Sequence, residues 1–306
     1  MKQLDAPRKR RSILADWRLY VMFLPAAILL IVFAYVPMYG LVLAFKDFNP
    51  LKGVLGSEWV GLEHFHTIIE DEYFYKVLGN TIWLNILNLI FGFPVPIILA
   101  ILLNEVKNKF FKRTVQTLSY LPHFISWVIV AGILINILSI EDGIVNEIIK
   151  FFGGDPVNFF GNPDNFLAML VASDIWKGAG WGTIIYFAAI SNISPELYEA
   201  AMIDGAGRFR RIRAIVIPAL GPAISINLIF RVSDLLASNF NQIFNLYNPV
   251  VYETADVVNT YIYRIGITDG NYGVSTALGL LFSVVSLVLI LVTNKIIRKC
   301  GGEGIW

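Results

Sequence analysis

The sequence predicts an all-α integral membrane protein with six transmembrane helices and both termini in the cytoplasm. Three observations carry this expectation. Of the 306 residues, 56% are hydrophobic and only 15% are charged, where a soluble chain carries about 25% charge. The apolar residues gather into blocks of the length a bilayer crossing needs, about 20 residues of helix. The segments between the blocks alternate between basic and acidic, and basic loops stay on the cytoplasmic side. Mean hydropathy is +0.64. With a net charge of only +1, the total gives no general attraction to nucleic acid, and the placement of charge matters more. The one cysteine, Cys300, excludes an intrachain disulfide and a cysteine-based metal cluster.

Residues 1–18 form a basic N-terminal segment with Lys2, Arg8, Lys9, Arg10, Arg11 and Arg18, which argues for a cytoplasmic start. The first span, Leu19 to about Phe45, is uncharged and too long for the apolar core of a signal peptide, so it is expected to be retained. Pro25 and Pro37 fall inside it, and a kink near Pro37 is expected. The outer segment that completes the unit 19–76 is acidic, with Asp47, Glu58, Glu63, Glu70, Asp71 and Glu72 against three lysines. His64 and His66 have the spacing of two metal ligands but no evident third, which favours surface histidines over a metal site. Five further spans are expected within residues 77–298, followed by a short cytoplasmic tail, 299–306.

The second span, Val77 to about Leu103, holds Asn80, Asn85 and Asn88. Asn85 and Asn88 are three residues apart and share a helix face. Amides in hydrocarbon need partners, so this face is expected to point into the bundle or a wet cavity. Gly92, Pro94 and Pro96 then kink the helix, and Lys107, Lys109, Lys112 and Arg113 mark a cytoplasmic loop. The third span is expected as one run from about Thr114 to Ile140, with Pro122 and His123 in its inner third. The outer loop from Glu141 to Asp164 is acidic and carries the turn signal Gly153-Gly154-Asp155-Pro156.

The fourth span, about Phe166 to Ile190, carries Asp174, Trp176 and Lys177, with glycines at 178, 180 and 182 that permit close packing. The fifth runs from near Ala214 to about Leu236 and carries Arg231 and Asp234. Asp174 with Lys177, and Arg231 with Asp234, are each three residues apart and can pair on one face. The fourth span runs inward and the fifth outward, so both sets fall in the outer half, where lone charges must pair or face water. Residues Ala237 to Gly270 form an outer segment with Asn239 and Asn241, partly helical around Ala255 to Ile265. The sixth span, about Val274 to Asn294, precedes Lys295, Arg298 and Lys299.

Between the fourth and fifth spans lies a polar, basic stretch, residues 194–218. Ser194 is a good helix N-cap and Pro195 suits the first helical position, where its missing N–H costs nothing. Leu197, Ala200, Ala201 and Met202 give the short helix a small, flat apolar face, and Gly205 and Gly207 end it. Arg208, Arg210, Arg211 and Arg213 follow at once. A flat-faced helix held at the membrane surface between two spans suits contact with another protein.

Glu199-Ala200-Ala201, three residues, Gly205, nine residues, then Ile215-Val216-Ile217-Pro218 resembles the EAA loop of binding-protein-dependent ABC importer permeases, with Ile217 where that pattern has Leu. Leu19-Tyr20, Leu24-Pro25, Tyr35-Val36-Pro37-Met38-Tyr39-Gly40 and Ala44-Phe45-Lys46-Asp47-Phe48-Asn49-Pro50 resemble the oligosaccharide and polysaccharide-fragment permeases of Gram-positive bacteria, within the maltose-type sugar importers. The resemblance covers nearly the whole chain. It implies the type I ABC importer permease fold, in the bacterial cell membrane. It also implies a heterodimer with a second homologous permease, two ABC ATPase subunits that bind ATP and Mg, an extracellular solute-binding protein, and a sugar as substrate. No cofactor is implied in this chain itself. Carried onto this sequence, the coupling residues are Glu199, Ala200, Ala201, Asp204 and Gly205. Glu199 would contact the ATPase, the alanines would allow close approach, and Gly205 would permit the turn.

The candidate substrate path comprises Asn85, Asn88, Asp174, Trp176, Lys177, Asn227, Arg231, Asp234, Asn239 and Asn241, with Trp181 and Tyr186 as further cavity aromatics. Aromatic faces pack on the C–H surfaces of sugar rings. The competing use of such residues is helix–helix contact or an interfacial belt. The sequence contains no G-x-x-x-x-G-K-[ST], no G-x-S-x-G and no H-E-x-x-H, so neither an ATPase nor a hydrolase reading is supported. A secondary transporter would more often show inverted repeats, and a channel would need a ring of like groups. An importer permease for a non-sugar solute shares the loop.

Overall fold

The computed structural model describes residues 17–237, 239–302 and 304–305. Lys2, Arg8, Lys9, Arg10 and Arg11 of the basic N-terminal segment lie outside the described residues. The long elements are α1 (Trp17–Phe45), α2 (Glu72–Glu105), the bent pair α3 (Lys109–Phe124) and α4 (Trp127–Ile137), α5 (Pro163–Ser191), α6 (Pro195–Ile203), α7 (Arg208–Leu236) and α8 (Tyr272–Lys299). Of these, α1, α2, α7 and α8 are long and apolar enough to cross a membrane, and the bent pair makes a fifth crossing if taken as one span. The expected fourth span lies within α5, which has 29 residues and therefore the length to cross, but carries Asp174 and Lys177 near its middle. It is the packing centre, with Phe166, Leu170, Lys177, Gly180 and Tyr186 among its buried residues.

Proline placement explains three irregularities. Helices α1, α2 and α7 widen into π-turns at Ile31–Tyr35, Asn88–Gly92 and Ile212–Val216. Each π-turn ends two residues before a proline, at Pro37, Pro94 and Pro218. A proline ring clashes with the carbonyl four residues back and offers it no N–H. That carbonyl belongs to Phe33, Ile90 or Ala214, the central residue of its π-turn. Widening swings it clear, while Val36 donates to Ile31, Phe93 to Asn88 and Ile217 to Ile212 across the wider turn. The proline that closes the 194–218 stretch thus shapes the entry of the helix that follows it.

The third span is not the single run expected from Thr114 to Ile140. It breaks between α3 and α4 with a bend of 103°. Pro122 sits in a tight turn, Leu121–Phe124, and Ile125 and Ser126 are extended. Ser126 then caps α4, its Oγ accepting the N–H of Ile129 at 3.4 Å. Ser126 stands between apolar neighbours, Phe124-Ile125 before it and Trp127-Val128-Ile129 after it, so hydropathy does not register the cap.

Three apolar clusters hold the bundle. One joins α2, α4 and α5 through Leu84, Ala131, Phe166 and Leu170. A second joins the end of α1 to α2 and α8 through Ala44, Val77, Ala277 and Leu278. The third lies at the end bearing the basic loops, through Ala100, Tyr186, Ile190, Val216 and Leu220. Lipid offers no hydrophobic drive between helices, so close fit matters most. A Cβ on Gly180 would fall 2.0 Å from the Ser119 carbonyl oxygen, and one on Gly182 would fall 3.1 Å from Pro96. By contrast, no residue of α1 from Trp17 to Met38 is buried, and only its Tyr39–Phe45 end buries a residue, Ala44.

The end bearing the acidic loops is tied together by polar contacts. Lys76 pairs with Glu253, Asn80 donates to the carbonyls of Glu253 and Asp256, and Asn248 donates to that of Phe160. Lys46–Asp47 pairs antiparallel with Glu58–Trp59 in a two-stranded hairpin. His64 and His66 take different partners: a His64 ring nitrogen lies 3.0 Å from the Lys46 carbonyl, and His66 lies 3.2 Å from Glu70.

Candidate functional site

The stretch between α5 and α7 builds an exposed knob. Ser194 is extended and its Oγ accepts the N–H of Glu196 at 3.3 Å. Pro195 opens α6 at a position where no N–H is needed. At the far end Gly205 takes φ +73°, a conformation that costs glycine nothing and other residues about 1 kcal/mol or more. Gly205 donates to the Met202 carbonyl at 3.1 Å and Ala206 to that of Ala201 at 2.8 Å, the paired bonds that seal a helix C-terminus. Glu199, Ala200, Asp204 and Gly205 are exposed and Ala201 is half-buried. Leu197, Met202 and Ile203 are exposed beside them, Ile203 at 86%. Such apolar exposure on a helix with a polar loop either side marks a contact surface.

The knob is anchored from beneath. Tyr198 packs into the cluster formed by Ala100, Tyr186 and Leu220. Burial there pushes the Tyr198 phenol above its ordinary pKa, with nearby Glu105 adding to the effect and Asn104 and Arg211 opposing it. Lys112 of α3 lies over the Phe187 ring of α5 at 4.5 Å, so the two basic loops meet at one end of the bundle.

Nearer the acidic end, six polar side chains close around a cavity of ≈ 290 Å³. Asn85 and Asn88 come from α2, Asp174 from α5, Arg231 and Asp234 from the end of α7, and Asn239 from the turn after it. Asn239 donates to Asp174 at 3.3 Å, and Asn85 donates to the carbonyls of Thr81 and Leu235 at 2.9 and 3.0 Å. The Oδ1 of Asn88 is buried without a hydrogen-bond partner among the described residues. Two carboxylates, a guanidinium and three amides form a set of planar donors and acceptors suited to vicinal hydroxyl groups.

The i, i+3 ion pairs do not form. Among the described residues no ion pair joins Asp174 to Lys177 or Arg231 to Asp234. Lys177 turns to the carbonyls of Pro122 and His123, while Asp174 is held by Asn239. Arg231 and Asp234 both face the cavity, but no ion pair joins them among the described residues. The remaining candidates stand outside the cavity. Trp176 lines an apolar groove of ≈ 500 Å³ between α4 and α5. Asn227 donates to its own helix at Ala223, and the Asn241 carbonyl accepts from Asn245. Tyr186 is buried in the third cluster, and Trp181 stacks on His123 with ring centroids 4.5 Å apart.

Sequence reading did not single out the buried set around Asp256, which is 0% exposed. Its carboxylate accepts from Tyr73 Oη at 2.7 Å and Thr260 Oγ1 at 2.8 Å, and from Arg264. The Arg264 guanidinium lies 5.3–5.7 Å from the ring centroids of Tyr73, Tyr252 and Tyr261. The one signal was an acid and an arginine eight residues apart in a loop rich in tyrosine.

The family described as "Binding-protein-dependent transport system inner membrane component" matches residues 92–300. The polygalacturonan/rhamnogalacturonan transport system permease protein YteP of Bacillus subtilis (strain 168) is 46% identical over 288 residues, 94% of this chain and 90% of that protein. A crystal structure of a bacterial ABC transporter involved in the import of the acidic polysaccharide alginate contains a chain 44% identical, with a TM-score of 0.86 over 94% of this chain and 97% of that one. A second, of a bacterial alginate ABC transporter with an alginate pentasaccharide-bound periplasmic protein, contains a chain 43% identical, with a TM-score of 0.87 over 96% and 98%.

Proposed function

We propose, from the premise that this chain belongs to the family of binding-protein-dependent transport system inner membrane components, that it is one of two permease subunits of an ATP-driven oligosaccharide importer. The observation that carries the reading is a continuity. The exposed knob α6 follows directly on α5, and α5 also supplies Asp174 to the polar cavity. A push at the knob therefore acts on the same rod that lines the path. In this reading Glu199, Ala200, Ala201, Asp204 and Gly205 meet an ATP-binding subunit that holds the ATP and Mg. Six spans place the knob and both termini on the cytoplasmic side. A second permease completes the path, and an external solute-binding protein delivers the sugar. Asn85, Asn88, Asp174, Arg231, Asp234 and Asn239 form this chain's share of the path. Acidic oligosaccharides are the first substrates to test, because they match the relatives' named substrates and offer a carboxylate to Arg231.

The test is capture. In a Cys300→Ser background, a cysteine at Ala200 or Ala201 carrying a short crosslinker should trap a nucleotide-hydrolysing subunit in membranes. Absence of such a product, or labelling of the knob only from the cell exterior, overturns the reading.

A further inference from the structure

Lys177 is a buried lysine, 8% exposed, that no carboxylate approaches within ion-pair distance among the described residues. Its Nζ donates to the carbonyls of Pro122 at 3.1 Å and His123 at 2.8 Å, and lies 5.5 Å from the centroid of the Trp127 ring. These groups belong to the break in the third span. Carbonyls at the end of a helix are left without intrahelical partners and carry partial negative charge, and in hydrocarbon they must find donors elsewhere in the protein. The break meets this demand unevenly. The start of α4 is capped by its own Ser126, and the Pro122 carbonyl also takes the N–H of Ile125 from within the turn, whereas the His123 carbonyl takes its donor from α5.

The rest of that face of α5 is shaped to the same break. One turn on from Lys177, Gly180 admits the Ser119 carbonyl, and Trp181 lies flat on His123, 2° from parallel. Positions 177, 180 and 181 follow the i, i+3, i+4 spacing of one helix face. The opposite side of the rod contacts α2, where Thr183 Oγ1 donates to the Pro96 carbonyl.

We infer that Lys177 is a positioning residue for transport: it fastens the broken third span to α5, so that α3, α4 and α5 move as one body when the knob is displaced. The sequence offered Lys177 as a substrate contact, and its geometry gives it this other task. The inference rests on the importer reading for the displacement itself, but the fastening is a property of this chain.

The experiment uses the assembled importer in lipid nanodiscs, in a Cys300→Ser background, with spin labels at cysteines replacing Ile129 on α4 and Ser191 at the end of α5. With Lys177 present, the label separation stays the same in nucleotide-free and ATP–vanadate-trapped states. With Lys177→Met, which keeps length and removes the donors, the separation differs between the states on the order of 2 Å or more. Lys177→Arg, which keeps the charge and the donors, restores the single separation. A separation that changes between states with Lys177 in place overturns the fastening, and so does one that stays fixed in Lys177→Met. Should Lys177→Met fail to assemble, Lys177→Leu, which also removes the donors, takes its place, and a fixed separation there has the same consequence. The importer reading fails separately, if no ATP-hydrolysing subunit co-purifies with the Lys177 protein.

Discussion

Asn239 donates a hydrogen bond to Asp174 across 3.3 Å, joining the turn after α7 to the middle of α5. The contact closes a ring of polar groups that also holds Asn85, Asn88, Arg231 and Asp234. The residues come from separate stretches of sequence, and only the packing of α2, α5 and α7 brings them together. A carboxylate in an otherwise apolar bundle needs a partner or water, and Asn239 supplies the partner.

Asp174→Ala and Arg231→Ala should cut uptake about tenfold or more while leaving the subunit complex intact, as loss of a charged contact to a ligand is worth roughly 1.5–3 kcal/mol. Asp174→Asn, which keeps the bond to Asn239 but not the charge, should fall between. Uptake of galacturonan and alginate oligosaccharides into proteoliposomes, with co-purification as the control, makes the measurement. Normal uptake in both alanine variants would mean that the ring serves only to join helices.

Gly205→Val should separate hydrolysis from transport. The φ of +73° is unfavourable for any β-branched residue, while a Cβ there would meet nothing within 4 Å, so the penalty is one of backbone alone. The strain, about 1–2 kcal/mol, falls on the bonds from Gly205 to Met202 and Ala206 to Ala201 and frays the end of the knob. The expected result is ATP hydrolysis that continues without matching uptake, with Gly205→Ala affected less. Equal coupling in the valine variant would remove Gly205 from the mechanism.

These cases show what the sequence discloses and what it withholds. The knob was legible because its signals are local: Ser194, Pro195 and Gly205 act within a turn of themselves. Pro37 and Pro94 marked disturbed turns for the same reason, whereas the turn before Pro218 was not read, and the π form appears only once Phe33, Ile90 and Ala214 are seen at the centres of the turns. The break of the third span was hidden because Ser126, its cap, lies inside an apolar run. The ion pairs read from i, i+3 spacing failed because Lys177 and Asp174 each found a partner on another element, which spacing along one helix does not reveal. The site around Asp256 needed a tyrosine from 183 residues away.

Asp256→Ala should lower the stability of the purified protein by about 3 kcal/mol, as removing one member of a buried charge pair strands the other. Arg264 and Tyr73 would lose this acceptor, while the Thr260 hydroxyl would donate only to the Val257 carbonyl. Burial works against the Arg264 charge, but the Asp256 carboxylate outweighs it and raises the guanidinium's pKa. Double replacement, Asp256→Leu with Arg264→Met, should recover part of the loss. Thermal unfolding in detergent reads both, and an unchanged midpoint for Asp256→Ala would show the set to be idle.

The same region should set an alkaline limit. Burial first, then the neighbouring Tyr252, pushes the Tyr247 phenol from its ordinary 10.0 up to about 12. Burial and the Asp71 carboxylate raise Tyr261 as well. A raised pKa means that the folded state holds the phenolic proton more tightly than the unfolded state. The stabilisation is therefore complete below pH 10.0 and is lost as pH climbs through about 12. Phenolate absorbance should show these tyrosines titrating late, together with loss of near-ultraviolet circular dichroism. Tyr261→Phe, which leaves Asp71 without this donor and removes one late-titrating phenol, should shrink the high-pH step. A titration complete by pH 10.0 in the folded protein would contradict the burial of these hydroxyls.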